Sequence, residues 1–153
     1  MLSKIYCHLF EREYMSGVER ERVRVKATGE VFTPTEEVEK SLDEINNFNT
    51  SVFTDSEKTF LDNSCGDGQF LASVLYRKLQ NGIDFEIALS TIYGVDLMPD
   101  NVDLCRERLL CGREDLRHIV NKNIVCHDGL TYDYSFNGTN KNNDELTFDS
   151  LFD

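Results

Sequence analysis

The sequence is poor in basic residues, in proline and in long apolar runs. It has 16 Lys and Arg against 28 Asp and Glu, so its formal net charge is −12. A protein that wraps nucleic acid needs clustered Lys and Arg to neutralise phosphates, so DNA binding by this chain alone is doubtful. No apolar run approaches the roughly 18 residues of a membrane helix, and no cleavable leader pattern follows the N-terminus. We therefore expect a cytoplasmic protein that does not engage a membrane.

The cysteine pattern excludes the commonest cysteine-based sites. The five cysteines form an odd set without a CxxC pair. Such a set fits reduced thiols in a reducing compartment better than a disulfide framework or a zinc site, and we assign no metal ligand. The 153 residues are 40% hydrophobic, which is enough for one compact core.

The few basic residues are unevenly placed. Residues 1–30 hold six basic and five acidic residues, and a second basic group follows residue 100. Either group could supply a basic face, although solvated helix faces explain such charges equally well. The members of the second group are Arg106, Arg108, Arg113 and Arg117. We expect residues 1–29 to form a charged N-terminal arm that is partly helical, and residues 30–153 to form the folded domain.

Helix and strand patterns alternate from residue 33 onward. Thr33, Pro34 and Glu36 predict a helix start, with Thr33 as the N-cap, Pro34 as the first helical residue and Glu36 as the capping-box partner. Further helices are predicted at 69–80, near 88, at 98–110 and at 114–120, and strands at 59–65, 91–97, 123–130 and 146–152. This alternation indicates parallel strands joined by right-handed crossovers, an α/β fold of the doubly wound type.

Three of the predicted strands end in turns that contain an acid. Asp62 ends the first strand, Asp96 the second, and Asp128 the third. Ligands of open α/β sheets bind beyond the carboxyl ends of the strands, where an acid can accept hydrogens from both ribose hydroxyls. Asp128 could accept a hydrogen from an adenine amino group. Because three acids at one edge would repel a phosphate chain, the pattern favours an adenosine without phosphates.

The turn after the first strand is rich in glycine. Gly66 and Gly68 allow the backbone to approach a ligand closely. The turn matches neither the P-loop pattern nor the longer G-x-G-x-x-G pattern of dinucleotide sites. A glycine turn that serves only the fold is the alternative at this point.

Four segments, in this order, resemble the cofactor-binding part of S-adenosylmethionine-dependent DNA amino-methyltransferases of the N6-adenine class. They are FTP at 32–34, FLDNSCGDGQFL at 60–71, IYGVDLMPDNVDLCRERL at 92–109 and IVCHDGL at 124–130. The similarity covers roughly residues 22–149. It implies a partial class I methyltransferase fold, which is a Rossmann-like parallel sheet with flanking helices. It also implies S-adenosylmethionine or S-adenosylhomocysteine as the ligand.

The resemblance assigns ten cofactor-binding positions, which are Phe32, Thr33, Asp62, Cys65, Gly66, Gly68, Asp96, Leu97, Asp128 and Gly129. It places Phe32 and Thr33 at the methionine end of the cofactor and Asp62 near its amino group. It places Leu97 against the adenine. A helix cap alone would also explain Thr33, and a buried small residue would also explain Cys65.

The resemblance stops before the family's catalytic segment, a D/N/S-P-P-Y/F sequence whose aromatic ring stacks on the flipped base. Pro34 and Pro99 are the two prolines of the chain and are not adjacent, so we assign no catalytic residue. TFDSLFD at 147–153 resembles the strand that leads to that segment.

Three functions are compatible with this pattern, and the sequence leaves open whether the chain is an enzyme. The first is a reduced methyltransferase-like protein that binds the cofactor without an acceptor segment of its own. The second is an active DNA adenine methyltransferase that works as a homo-oligomer or with a partner chain, which would also cover the open sheet edge. The third is an acidic interaction or inhibitory protein on an inherited methyltransferase fold.

Overall fold

The computed structural model describes residues 1–11 and 33–138. The elements are α1 (Leu2–Phe10), α2 (Thr35–Phe48), β1 (Phe60–Asp62), α3 (Gln69–Gln80), α4 (Phe85–Ser90), β2 (Ile92–Asp96), α5 (Pro99–Leu110), a 3₁₀ turn (Glu114–Leu116), α6 (Arg117–Asn123) and β3 (Ile124–Cys126). The helix predicted at 69–80 is confirmed residue for residue, and the short helix expected near 88 is α4. The three strands are shorter than predicted at both ends. Each begins one residue later than predicted, and the last predicted residues belong to the turns that follow. The strand predicted at 146–152 and residues 12–29 of the N-terminal arm lie outside the described residues.

The three strands form one parallel sheet in the order β1-β2-β3. Phe60 pairs with Ile92, and Gly94 pairs with Ile124. The α/β class is therefore confirmed. When successive parallel strands lie side by side and their crossovers are right-handed, the connecting helices fall on the same face of the sheet.

One face of the sheet packs against α3, α5 and α6. Ile92 and Ile124 are each 1% exposed on this face. Gly94 lies between them, and a Cβ built there would be 2.9 Å from Leu71 Cδ1 and 3.0 Å from Cys65 Sγ. Such distances leave no room for a side chain, so Gly94 lets the helix and the loop after β1 approach the sheet.

The other face is covered differently. Val95 and Val125 are buried there beneath the aromatic segment Tyr132–Phe136, and the Phe136 ring lies 4.8 Å from that of Tyr93. Leu61, on the same face of β1, is 53% exposed. Within the described residues the connecting helices thus lie on one face, and the expected doubly wound arrangement is not completed.

The helical part of the N-terminal arm packs onto the domain. Helix α1 contacts α3 and α5, and Leu9 is fully buried. Tyr6 and Phe10 meet Tyr76 of α3 in edge contacts with ring centroids 5.5 and 5.7 Å apart. The first ten residues therefore contribute to the core.

The predicted start of α2 is one residue too early. Pro34 has φ −58° and ψ 146° and is the N-cap, α2 begins at Thr35, and no side chain caps it. An N-cap residue has extended backbone in any case, so the prediction failed at Pro34, whose ψ of 146° keeps it out of the helix. Glu36 and Glu37 stand in the first turn, where their charge stabilises the helix dipole.

Candidate functional site

The ends of β1 and β2 and the turn after β3 meet at one edge of the sheet. Asp62 and Asp96 are the last residues of their strands, and Asp128 follows β3 by two residues. The His127 N–H donates to the Asp96 carbonyl at 2.9 Å and joins the third turn to the second. The parallel strands thus bring the three predicted acids to the same edge, as the α/β argument requires.

The glycine turn adopts backbone conformations that suit glycine. Gly66 has φ +54° and Gly68 has φ +92°. The Cys65 N–H donates to the Val95 carbonyl at 2.9 Å, which fixes the turn to β2. A Cβ at Gly68 would lie 2.8 Å from Cys105 Sγ of α5. Both the backbone angle and this contact therefore require glycine at 68.

Asp96 is fixed by hydrogen bonds from three sides. Its Oδ1 accepts the Gly66 N–H at 3.1 Å, and its Oδ2 accepts the Met98 N–H and the Asn101 Nδ2–H, each at 3.1 Å. Asn101 is fully buried. Asp96 therefore orders the glycine turn and the start of α5 from its place at the end of β2.

A cavity of about 280 Å³ opens beside the glycine turn; it is called the loop cavity below. It is lined by Thr33, Asp62, Ser64, Cys65, Gly66, Asp67, Gln69 and Phe70. Its volume approaches the lower end of the range for small-molecule pockets, roughly 300 Å³. The cavity brings together four of the predicted positions, from the segment before α2 and from the loop after β1.

The Asp62 carboxyl borders the loop cavity in a half-buried position. Burial raises the pKa of Asp62, while the hydrogen bond from the Ser64 N–H, at 3.1 Å, lowers it less. A raised pKa means that the charged carboxylate lacks stabilisation, which a cation in the cavity would supply.

Cys65 is not a nucleophile in this setting. The hydrogen bond it shares with Cys105, followed by burial, raises the pKa of the Cys65 thiol well above its ordinary value. Since the thiolate is the reactive form, Cys65 stays a neutral, buried part of the turn. This geometry fits the small buried residue that the sequence left as an alternative for Cys65.

Leu97, Asp128 and Gly129 lie outside the loop cavity. Asp128 Oδ1 accepts the Leu130 N–H at 2.9 Å and closes the third turn. A Cβ at Gly129 would lie 2.7 Å from the Asn63 carbonyl oxygen. The turns after β1 and β3 therefore touch each other across the end of β2. Phe32 lies outside the described residues.

Sequence reasoning missed four cavity residues and two residues behind them. The four cavity residues were indicated in the sequence only by their position next to the glycine turn. They are Ser64, Asp67, Gln69 and Phe70. Arg108 and Asn101 look like ordinary polar positions of an amphipathic helix. Both point inwards, with Arg108 4% exposed, and no local pattern distinguishes them.

The arginines of the second basic group do not gather into one exposed basic face. Arg106 donates to the Ile124 carbonyl at 3.1 and 2.7 Å. Arg113 pairs with Asp115, and Arg117 pairs with two glutamates. With Arg108 buried, the charges of this group are used inside the fold or balanced by neighbouring acids.

Comparisons with protein-family models, with curated proteins and with solved structures gave no match. Among the helices of residues 1–11 and 33–138, none combines the length and the apolar character that crossing a bilayer requires.

Proposed function

We propose that this chain binds S-adenosylmethionine or its product S-adenosylhomocysteine at the carboxyl edge of its sheet. The observation that carries the proposal is the loop cavity, bordered by the under-stabilised Asp62 carboxyl and adjoining the turn that Asp96 orders. The amino-acid end of the ligand would occupy the cavity, with its ammonium group at Asp62. The ribose would lie at Asp96 and the adenine towards Leu97 and Asp128.

The chemistry of the edge supports this ligand over a nucleotide with phosphates. Anions are held by Lys, Arg or clustered backbone donors, whereas this edge carries three acids. Arg108, which stands behind the loop cavity, lies 3.6 Å from the buried Asp67 carboxylate. An ammonium group, two ribose hydroxyls and an adenine amino group all offer hydrogens to acids.

The resemblance to DNA adenine methyltransferases suggests that the site descends from methyl-transfer enzymes. The chain has no adjacent proline pair with which to build the family's acceptor segment. We therefore propose cofactor binding by a methyltransferase-like domain, and we assign no methyl acceptor to residues 1–153.

The proposal is tested by calorimetric titration of the purified chain with S-adenosylmethionine, S-adenosylhomocysteine and ATP. We expect the first two to bind and ATP not to bind. Asp96→Asn keeps the size of the side chain but removes its charge, and should weaken binding by at least about tenfold, equal to about 1.4 kcal/mol. Asp103→Asn is the matched control, since Asp103 is an exposed acid of α5. Absence of heat with both adenosyl ligands, in a chain that circular dichroism shows to be folded, would refute the proposal.

A further inference from the structure

Arg108 stands at the centre of a buried polar network behind the loop cavity. Its Nε donates to the Leu9 carbonyl at 2.6 Å, and its Nη2 donates to Gln69 Oε1 at 3.1 Å. Its Nη1 lies 3.6 Å from Asp67 Oδ1. Arg108, Asp67 and Gln69 are at most 5% exposed. One guanidinium group thus reaches helix α1, the glycine turn and the first residue of α3.

The donors and acceptors of the network fix the orientation of the Gln69 side-chain amide. A guanidinium group only donates, so the Gln69 side chain must turn its oxygen towards Arg108. The Gln69 amide nitrogen then faces the other way and donates to Thr35 Oγ1 at 2.8 Å. Thr35 is the first residue of α2 and follows Thr33 and Pro34 directly.

Both walls of the loop cavity are therefore tied to one side chain. Asp67 and Gln69 belong to the wall formed by the glycine turn and the start of α3. Thr33 lines the cavity from the segment before α2, and it precedes Thr35, the end of the Gln69 relay, by two residues. Lys could replace the charge of Arg108, but an ammonium group does not reproduce the planar guanidinium group. That group hydrogen-bonds the Leu9 carbonyl and Gln69 Oε1 while it forms an ion pair with Asp67.

We infer that Arg108 is a positioning residue for the amino-acid end of the ligand, acting through Asp67 and through the Gln69–Thr35 relay. This inference rests on the proposed function and adds a specific element to it. Arg108 sets the spacing of the two cavity walls and touches no ligand atom itself. The ribose and adenine positions at Asp96 and Asp128 lie outside its network.

The test compares S-adenosylhomocysteine with 5′-methylthioadenosine, which has the same nucleoside but lacks the amino-acid group. Arg108→Lys should weaken S-adenosylhomocysteine by at least about tenfold, while the affinity for methylthioadenosine changes less than about threefold. Thr35→Val, a change of similar volume at an exposed position, removes the last acceptor of the relay. It should weaken S-adenosylhomocysteine by roughly threefold and leave methylthioadenosine unchanged.

Arg106→Lys is the matched control, because Arg106 lies on the same helix and donates to the Ile124 carbonyl instead. It should alter neither affinity. If the folded Arg108→Lys protein binds both ligands as the wild type does, or loses both to the same extent, the inference is wrong. If Arg108→Lys does not fold, an unchanged ratio of the two affinities in Thr35→Val would overturn it. If the wild type binds neither ligand, the proposed function fails and the inference fails with it.

Discussion

Asp62 and Asp96 end neighbouring parallel strands, yet the two carboxylates differ in how many hydrogen bonds they accept from the fold. The Asp96 carboxylate accepts hydrogen bonds from the Gly66 and Met98 backbones and from the Asn101 amide. For Asp62, the described residues provide one hydrogen bond, from the Ser64 N–H. Burial raises the pKa of Asp62 in consequence.

The difference indicates that the Asp96 part of the edge is preorganised, whereas the Asp62 carboxylate would be stabilised only when a ligand binds. A carboxylate that accepts several hydrogen bonds from the protein keeps one position without a ligand, and it also fixes the turn that donates to it. An acid buried without such donors destabilises the unliganded protein slightly, and it gains most from a cation that arrives with the ligand. Three predictions test this contrast.

Asp96→Ala should have the largest effect on folding. The change removes the acceptor of three donors, two of them backbone N–H groups. We expect the free energy of unfolding to fall by about 2–4 kcal/mol, since each buried donor left without an acceptor is costly. Urea unfolding of the unliganded protein measures this, with Asp103→Ala as the control. A loss below about 1 kcal/mol would mean that Asp96 does not order the turn.

The affinity for ligands with an ammonium group should depend on the ionisation of Asp62. Below the raised pKa of Asp62 the carboxyl is protonated and cannot pair with the ammonium group. The affinity for S-adenosylhomocysteine should therefore rise with pH, by at most about tenfold per unit, and level off above that pKa. Methylthioadenosine should show no such rise. Titrations from about pH 4 to about pH 8 test this, and equal pH profiles for the two ligands would contradict the role of Asp62.

Asp62→Asn should have the smallest effect on the free energy of unfolding, and it should raise that free energy rather than lower it. Because the pKa of Asp62 is raised in the folded state, that state holds the proton more tightly than the unfolded chain does. The stability of the wild type therefore decreases as pH rises from the ordinary value of 3.8 through the raised value, and the penalty persists above it.

The Asn variant has no such penalty. It should be more stable than the wild type at neutral pH, by less than about 1 kcal/mol, and should lack this decrease. Urea unfolding at neutral pH and near pH 4 measures both quantities, with Asp103→Asn as the control. A clear loss of stability at neutral pH would show that the fold needs the Asp62 charge.

The local patterns of the sequence predicted most elements because local rules determine them. The apolar stripe of 69–80 and the Asn81-Gly82 that follows it define α3 at both ends. The strands are identified by buried apolar residues that lead into acids and glycines. The start of α2 was placed one residue too early because the sequence matched a capping box, whereas Pro34 has extended backbone and is itself the N-cap.

The long-range part of the site was not predictable. The glycine turn and its acids form a contiguous pattern, so the sequence indicated them. Asn101 and Arg108 act on residues 5 to 99 positions away. Helical spacing puts both positions at the border of the apolar face of α5, where a polar side chain ordinarily turns to solvent. Such contacts depend on how helices pack, which no local pattern specifies.

The bond between Arg108 and the Leu9 carbonyl also has a consequence for the order of folding. The two residues are 99 positions apart, whereas β1, β2 and β3 each pair with the neighbour nearest in sequence. Closing a long loop costs more entropy than closing a short one. The strand–helix–strand units can therefore form as the chain leaves the ribosome. Helix α1, although made first, can pack on Tyr76 once α3 is made, but its bond with Arg108 forms only after residue 108 has been made.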